Sequence, residues 1–205
     1  MPNPIPTANR SQLLKLAFYF EGGLAGLALL LGWITGVQPL ASLQWTAAAI
    51  GVGILGTIPL FLLFLLFFQY PVGALQPIKR TLIDVLGPLL SACRWHELLL
   101  LATLAGLSEE MLFRGFLQPW LELKAGAAAG LFGSNLLFGL AHMVTPLYAL
   151  LAGLVGVYLG LLFDVGEQRN LLTPVIIHAL YDYMAFLVVV RAFRSEQAGS
   201  DSSRM

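Results

Sequence analysis

Long apolar stretches alternate with short polar ones along the chain. From residue 22 to residue 78 there are 57 positions without an Asp, Glu, Lys or Arg, and a second charge-free run covers residues 125–163. A membrane-spanning helix takes about 20 apolar residues, so each run holds two helices and a turn. Polar breaks fall at 36–44, at Thr145-Pro146 and at 164–170. The pattern predicts an all-α, polytopic membrane bundle of about six transmembrane helices, near residues 13–34, 45–68, 95–121, 125–143, 147–163 and 171–190. Segment 70–94 is mixed, with Lys79, Arg80 and Asp84, and reads as a loop with room for an interfacial helix. A polar tail at 1–12 and a polar, Ser-rich tail at 194–205 flank a single transmembrane domain at 13–193. There is no internal repeat.

Composition sharpens this picture. The chain is 58% hydrophobic and 11% charged, where a soluble domain carries about 25% charged residues. A soluble fold could not hide so much apolar surface. Zero net charge gives no nucleic-acid surface, and the single Cys93 excludes an intrachain disulfide or a thiolate cluster. Arg10 and Lys15 precede the first apolar stretch as in a signal peptide. That stretch outruns a signal h-region and shows no small-residue cleavage site, so it reads as a retained helix. Six spans put both termini on one side. Lys and Arg favour the cytoplasm, and Arg10, Lys15, Lys79, Arg80, Arg94, Arg191, Arg194 and Arg204 fall on that side, against Lys124 and Arg169 on the other. Both termini are therefore expected in the cytoplasm, in a plasma membrane of bacterial type.

Chemistry enters with the third helix, where Glu109, Glu110 and Arg114 stand within six residues. Each charge in a bilayer costs at least about 2.5 kcal/mol by insertion scales. A helix that ends early would leave them at the interface, but Leu112, Phe113, Phe116, Leu117 and Trp120 carry the apolar character past them. At about 100° per residue, Glu110 and Arg114 share a face in a favourable ion-pair order. Glu109 points elsewhere. Asn135, Phe138 and His142 share one face of the fourth helix. His178, in the sixth, has Asp182 four residues on, a spacing that can fix an imidazole's orientation. A lone histidine in an apolar stretch is ordinarily structural. Two of them with an unassigned glutamate shift the reading towards chemistry. Glu109, His142 and His178 are a set that can activate water directly or hold a zinc ion.

Other signals are weaker. His96-Glu97 lacks the second histidine of a zincin motif, because residue 100 is Leu, and both read as interfacial anchors. Glu21 reads as structural, snorkelling outward or meeting Lys15. Gly106-Leu-Ser108-Glu-Glu110 begins like a serine-protease G-x-S-x-G and ends in Glu. Tyr181-Asp182 lacks the partner motif of an intramembrane aspartyl protease.

Three motifs in order resemble one family. Glu109-Glu110-Met-Leu-Phe-Arg114 matches the E-E-x-x-x-R motif of the CPBP family, also called the Abi or CAAX protease family. Phe138-Gly-Leu-Ala-His142 is similar to its F-x-x-x-H motif. His178-Ala-Leu-Tyr-Asp182 is similar to its H-x-x-x-N motif, with Asp where Asn is usual. The resemblance covers about residues 98–187. It implies an intramembrane endopeptidase acting on a membrane protein, lipidated protein or peptide. Eukaryotic members remove the last three residues of prenylated CAAX proteins, and bacterial relatives are linked to bacteriocin processing or immunity. By the match, Glu109 is the water-activating carboxylate, His142 and His178 are site histidines, and Asp182 stands where Asn supports the oxyanion. Glu110, Arg114, Asn135 and Phe138 would support the site. A metal held by Glu109, His142 and His178 and a metal-free site both stay open.

The expected boundaries spread His142, Glu109 and His178 over roughly 15 Å of depth. A shared site therefore requires shifted boundaries or tilted or broken helices. Two other functions compete: a non-catalytic scaffold or immunity protein, favoured by Asp182, and a small transporter, which the missing repeat disfavours.

Overall fold

Helix ends follow local chemistry. Thr46 caps one helix by accepting the Ala49 N–H at 3.1 Å, and Thr145 caps another through Tyr148 N–H at 3.1 Å, with Pro146 at its first position. Glu97 caps a third by accepting the Arg94 N–H at 2.8 Å. Gly126, at φ 88°, makes a hinge where only glycine is at ease. In a computed structural model, which describes residues 10–166 and 168–202, these signals delimit seven helices. We label them α1 (Arg10–Thr35), α2 (Ala47–Gln69), α3 (Leu75–Ser91), α4 (Trp95–Ala125), α5 (Ala127–Ala141), α6 (Pro146–Phe163) and α7 (Leu172–Ser202).

The all-helical membrane bundle expected from the sequence is what forms. Four helices, α1, α2, α6 and α7 to Gly199, are long and apolar enough to cross a membrane, and a fifth crossing results if α3 and α4, bent 120° from each other, count as one. About six were expected. The difference lies in α5, whose 15 residues reach only about 22 Å, and in α4, whose charges are many. Phe18, Tyr19, Phe20 and Trp33 on α1, Leu62 and Leu66 on α2, and Leu150, Leu154 and Leu161 on α6 are exposed. An apolar surface of that extent belongs against lipid.

Several boundaries differ from the expected ones. Most of segment 70–94 is helix α3 rather than loop. Arg10 to Gln12, expected in a tail, begin α1, and the rest of that tail lies outside the described residues. Residues 194–202, also expected as tail, continue α7, while 203–205 lie outside the described residues. Turns of π-helix occupy Leu82–Leu86 in α3 and Met111–Leu117 in α4.

α7 packs on α2 and α4, α5 forms a hairpin with each of α4 and α6, and α1 lies along α4. Two polar clamps fix the α1–α4 pair. Arg10 bonds Glu97, and Ser108 Oγ donates to Glu21. Both clamps join residues 87 apart in sequence, so the helices run parallel in one register, with the clamps eleven positions apart on each. Glu97 is thus a buried clamp rather than an interfacial anchor, while His96 remains exposed beside Trp95. Glu21 meets Ser108 instead of Lys15. A second staple holds the start of α7: Asn170 bonds Gln44 through both its backbone groups, at 2.8 and 3.2 Å, and Leu171 N–H donates to Ser42 O.

The basic residues gather at one end of the bundle. Arg80 pairs with Glu196, Arg194 donates to the Ser91 carbonyl, and Arg10 clamps Glu97 beside Arg94. At the other end Arg169 pairs with Glu122 and Asp164. There burial lifts the Asp164 carboxyl above its ordinary range, opposed by the Arg169 charge.

Candidate active site

Hairpin geometry removes the depth difficulty. Glu109 lies 17 residues before Gly126 and His142 lies 16 after it, so along an antiparallel pair they sit about 26 and 24 Å from the hinge. α5 is short, and its last turn therefore stops level with the middle of α4. His142 is the capping residue of that end. α7 brings His178 to the same level from a start stapled by Asn170.

The result is one cluster. Glu109 Oε2 is 3.6 Å from His142 Nε2 and 3.8 Å from His178 Nε2. His178 Nε2 is 3.6 Å from Asp182 Oδ2. These separations exceed a direct hydrogen bond. Both imidazoles are oriented through their other nitrogen. His142 Nδ1 is 2.9 Å from the Phe138 carbonyl, which can only accept, so Nδ1 carries the proton and a neutral ring turns its Nε2 lone pair towards Glu109. His178 Nδ1 donates to Glu110 Oε1 at 2.8 Å. The orienting partner of His178 is thus Glu110 and not Asp182, as the four-residue spacing had predicted. With Glu109, Glu110 and Asp182 all within 4 Å of its nitrogens, His178 is the natural donor of the group.

Beneath the cluster lies a buried brace. Arg114, fully buried, donates to Glu110 Oε1 at 2.9 Å, to Asn135 Oδ1 at 2.8 Å and to the Gly156 carbonyl at 2.7 Å. The expected Glu110–Arg114 pair is present, and it ties α4, α5 and α6 together. Phe138 lies between the layers, with its ring 4.7 Å from the guanidinium and 4.4 Å from the His142 ring. Gly156 is required here, because a Cβ would collide with Asn135 Oδ1 and come within 3.0 Å of Arg114 Nη2. Burying a guanidinium demands partners for its N–H groups; Nη1 and Nη2 have them, while Nε has none among the described residues. The π turn at Met111–Leu117 contains Arg114, a placement common at functional sites.

A cavity of about 560 Å³ opens beside the cluster. His142, His178, Asp182, Tyr148 and Tyr181 form its polar wall, and apolar side chains such as Phe64, Phe67 and Leu82 form the rest, with Lys79 among them. Ser134 and Asn135 do not line it. Ser134 turns back to the Gly130 carbonyl at 2.7 Å, and Asn135 belongs to the brace. Glu109 Oε2 is buried and has no hydrogen-bond partner among the described residues. Its donor set with His142 and His178 is right in kind for zinc. However, among the described residues no group of three His, Cys, Asp or Glu side chains is arranged to hold a metal ion.

Sequence reasoning read Glu21 as structural but gave it the wrong partner, and it missed Tyr148 in the cavity wall and Gly156 in the brace. The first sits in a helix remote in sequence, the second carries no charge, and a glycine's role needs the neighbour that approaches it. Residues 91–184 match the family model described as type II CAAX prenyl endopeptidase Rce1-like. No curated protein and no solved structure matches the chain. The matched stretch, just under half of the chain, holds the glutamate pair, Arg114, both clustered histidines and Asp182, and the chain is an integral membrane protein whose central part is similar to this family of CAAX proteases.

Proposed function

We propose that the chain is an intramembrane endopeptidase that hydrolyses a peptide bond with water activated by Glu109 and His142. The observation that carries the reading is the pair Glu109 Oε2 and His142 Nε2, two acceptors facing each other at 3.6 Å, the first buried and unpartnered. A water molecule between them donates one hydrogen to each and keeps a lone pair for attack. Water needs a base within about 2.6–3.2 Å to become a nucleophile at neutral pH, and a desolvated carboxylate is a stronger base than a hydrated one.

In the proposed reaction the water oxygen bonds to the carbonyl carbon as Glu109 takes its proton. The carbonyl electron pair moves to oxygen, where His178 Nε2–H stabilises it. The tetrahedral intermediate then collapses, the C–N bond breaks, and Glu109 passes the proton to the leaving amine. Glu110 holds His178, and Arg114 with Asn135 and Phe138 holds Glu110. Asp182 faces His178 Nε2 and keeps its charge oriented across the cavity. The mainly apolar cavity suits the lipid chain of a prenylated or otherwise lipidated membrane substrate.

The test is peptide cleavage in detergent. Wild-type protein should cleave a farnesylated CAAX-type peptide, and Glu109→Ala should lose at least about 100-fold in rate while remaining folded. A wild type no faster than Glu109→Ala would instead favour the non-catalytic scaffold or immunity reading, for which the acceptor-only Asp182 is the supporting feature.

A further inference from the structure

A carbonyl that becomes an oxyanion in a water-poor site needs donors placed beforehand, commonly two. The cavity wall can be inventoried for them. Asp182 on the wall, when ionised, only accepts, as does Glu109 in the adjoining cluster. His142 spends its Nδ1 proton on the Phe138 carbonyl and turns an acceptor to the cluster. His178 supplies one donor. Three tyrosines also line the cavity: Tyr148, Tyr158 and Tyr181. Tyr158 is engaged, its hydroxyl donating to the Gly56 carbonyl at 2.8 Å. Among the described residues, no hydrogen bond involves the hydroxyl of Tyr148 or Tyr181. The two differ in place. Tyr181 projects from α7 with its ring edge-on to Phe64, and its hydroxyl feels the charge of Asp182. Tyr148 enters the wall from α6, a different helix from the one that carries His178 and Asp182. Its backbone is also pinned, because Tyr148 N–H is the one that Thr145 Oγ1 caps, one turn beyond the break that follows His142.

From this juxtaposition we propose that Tyr148 is a catalytic residue, whose hydroxyl donates a hydrogen bond to the scissile carbonyl oxygen opposite His178. The proposal rests on the peptidase reading above. Tyr148 keeps its proton throughout: it polarises the carbonyl, holds the oxyanion in the tetrahedral intermediate and releases it when the C–N bond breaks. A phenol can do this without adding a charge to a cavity already crowded with carboxylates. It also gives the site its second donor where Asp182 offers none.

The experiment compares wild type, Tyr148→Phe and the control Tyr183→Phe, which alters a partly buried tyrosine that does not line the cavity. Phenylalanine keeps the ring and removes only the donor. With a farnesylated peptide, Tyr148→Phe should lower kcat by about 100-fold with KM within about twofold, and Tyr183→Phe should match wild type. In parallel, a phosphinate analogue of the tetrahedral intermediate should bind Tyr148→Phe about 100-fold more weakly, whereas a non-cleavable ketomethylene analogue should bind both proteins alike. An unchanged kcat overturns the proposal. So does equal phosphinate affinity, including no binding by either protein, and this arm decides the matter even if the wild type shows no turnover. Failure of the peptidase reading has its own signature, wild type equal to Glu109→Ala in rate.

Discussion

Glu110 Oε1 accepts from two partners at once, Arg114 Nη1 at 2.9 Å and His178 Nδ1 at 2.8 Å. One oxygen therefore joins the buried brace to the histidine that faces the cavity. Neutralising or removing it acts on both. Glu110→Gln should lose about 10–100-fold in activity, the loss typical of a partner that orients a functional histidine, and should also melt lower, because it leaves Arg114 buried without its countercharge. Arg114→Ala leaves Glu110 buried without its countercharge, at a cost of about 3–5 kcal/mol, so folded yield and melting temperature should fall. If Arg114→Ala melts like wild type, the brace is not what holds these helices.

Glu109 and Glu110 are neighbours with opposite expectations. Glu109 Oε2 has no hydrogen-bond partner among the described residues, so Glu109→Gln removes the base and its charge contacts with the two histidines without breaking a hydrogen bond. Thermal stability should be unchanged or raised while cleavage falls by about 100-fold or more. A destabilised Glu109→Gln with residual activity near wild type would reverse the roles assigned to the two acids.

Gly156→Ala tests the brace from the other side. The added methyl meets Asn135 Oδ1 and the Arg114 guanidinium, both locked by their own bonds. Overpacking of this kind costs about 1–3 kcal/mol. The variant should melt lower, and Gly156→Ser should do no better. Gly51 on α2, where a Cβ meets nothing within 4 Å, gives the control: Gly51→Ala should be tolerated.

A metal-free site predicts resistance to chelators. Cleavage by purified protein should survive prolonged EDTA and 1,10-phenanthroline, and metal analysis should find well under one zinc per chain. Loss of activity restored by zinc would make Glu109, His142 and His178 ligands and require them to close to about 2.0–2.2 Å from a shared ion.

Orientation follows from the clustering of Arg10, Arg80, Arg94 and Arg194 at one end. By the positive-inside tendency that end is expected to face the cytoplasm. A fluorescent reporter fused after Met205 should light up in intact cells, and a phosphatase reporter there should stay silent. The reverse pattern refutes this orientation.

The sequence by itself determined the membrane class, the helical repertoire and the chemical types at the site. Apolar run length reports burial in lipid, and the three motifs report which side chains are present. Glu110 with Arg114 was also legible, because a four-residue spacing on one helix is a local property. What the tertiary structure alone decided is who faces whom across helices. The Gly126 hairpin and the shortness of α5 bring His142 level with Glu109, although helix lengths judged from hydropathy had set them far apart in depth. His178 takes its orientation from Glu110, 68 residues away, in place of Asp182 on its own helix. Glu21 finds Ser108 through a parallel register no local pattern encodes. Such pairings depend on helix ends shifted by a few residues and on glycines that let backbones approach, and both act through neighbours that are absent from the linear chain.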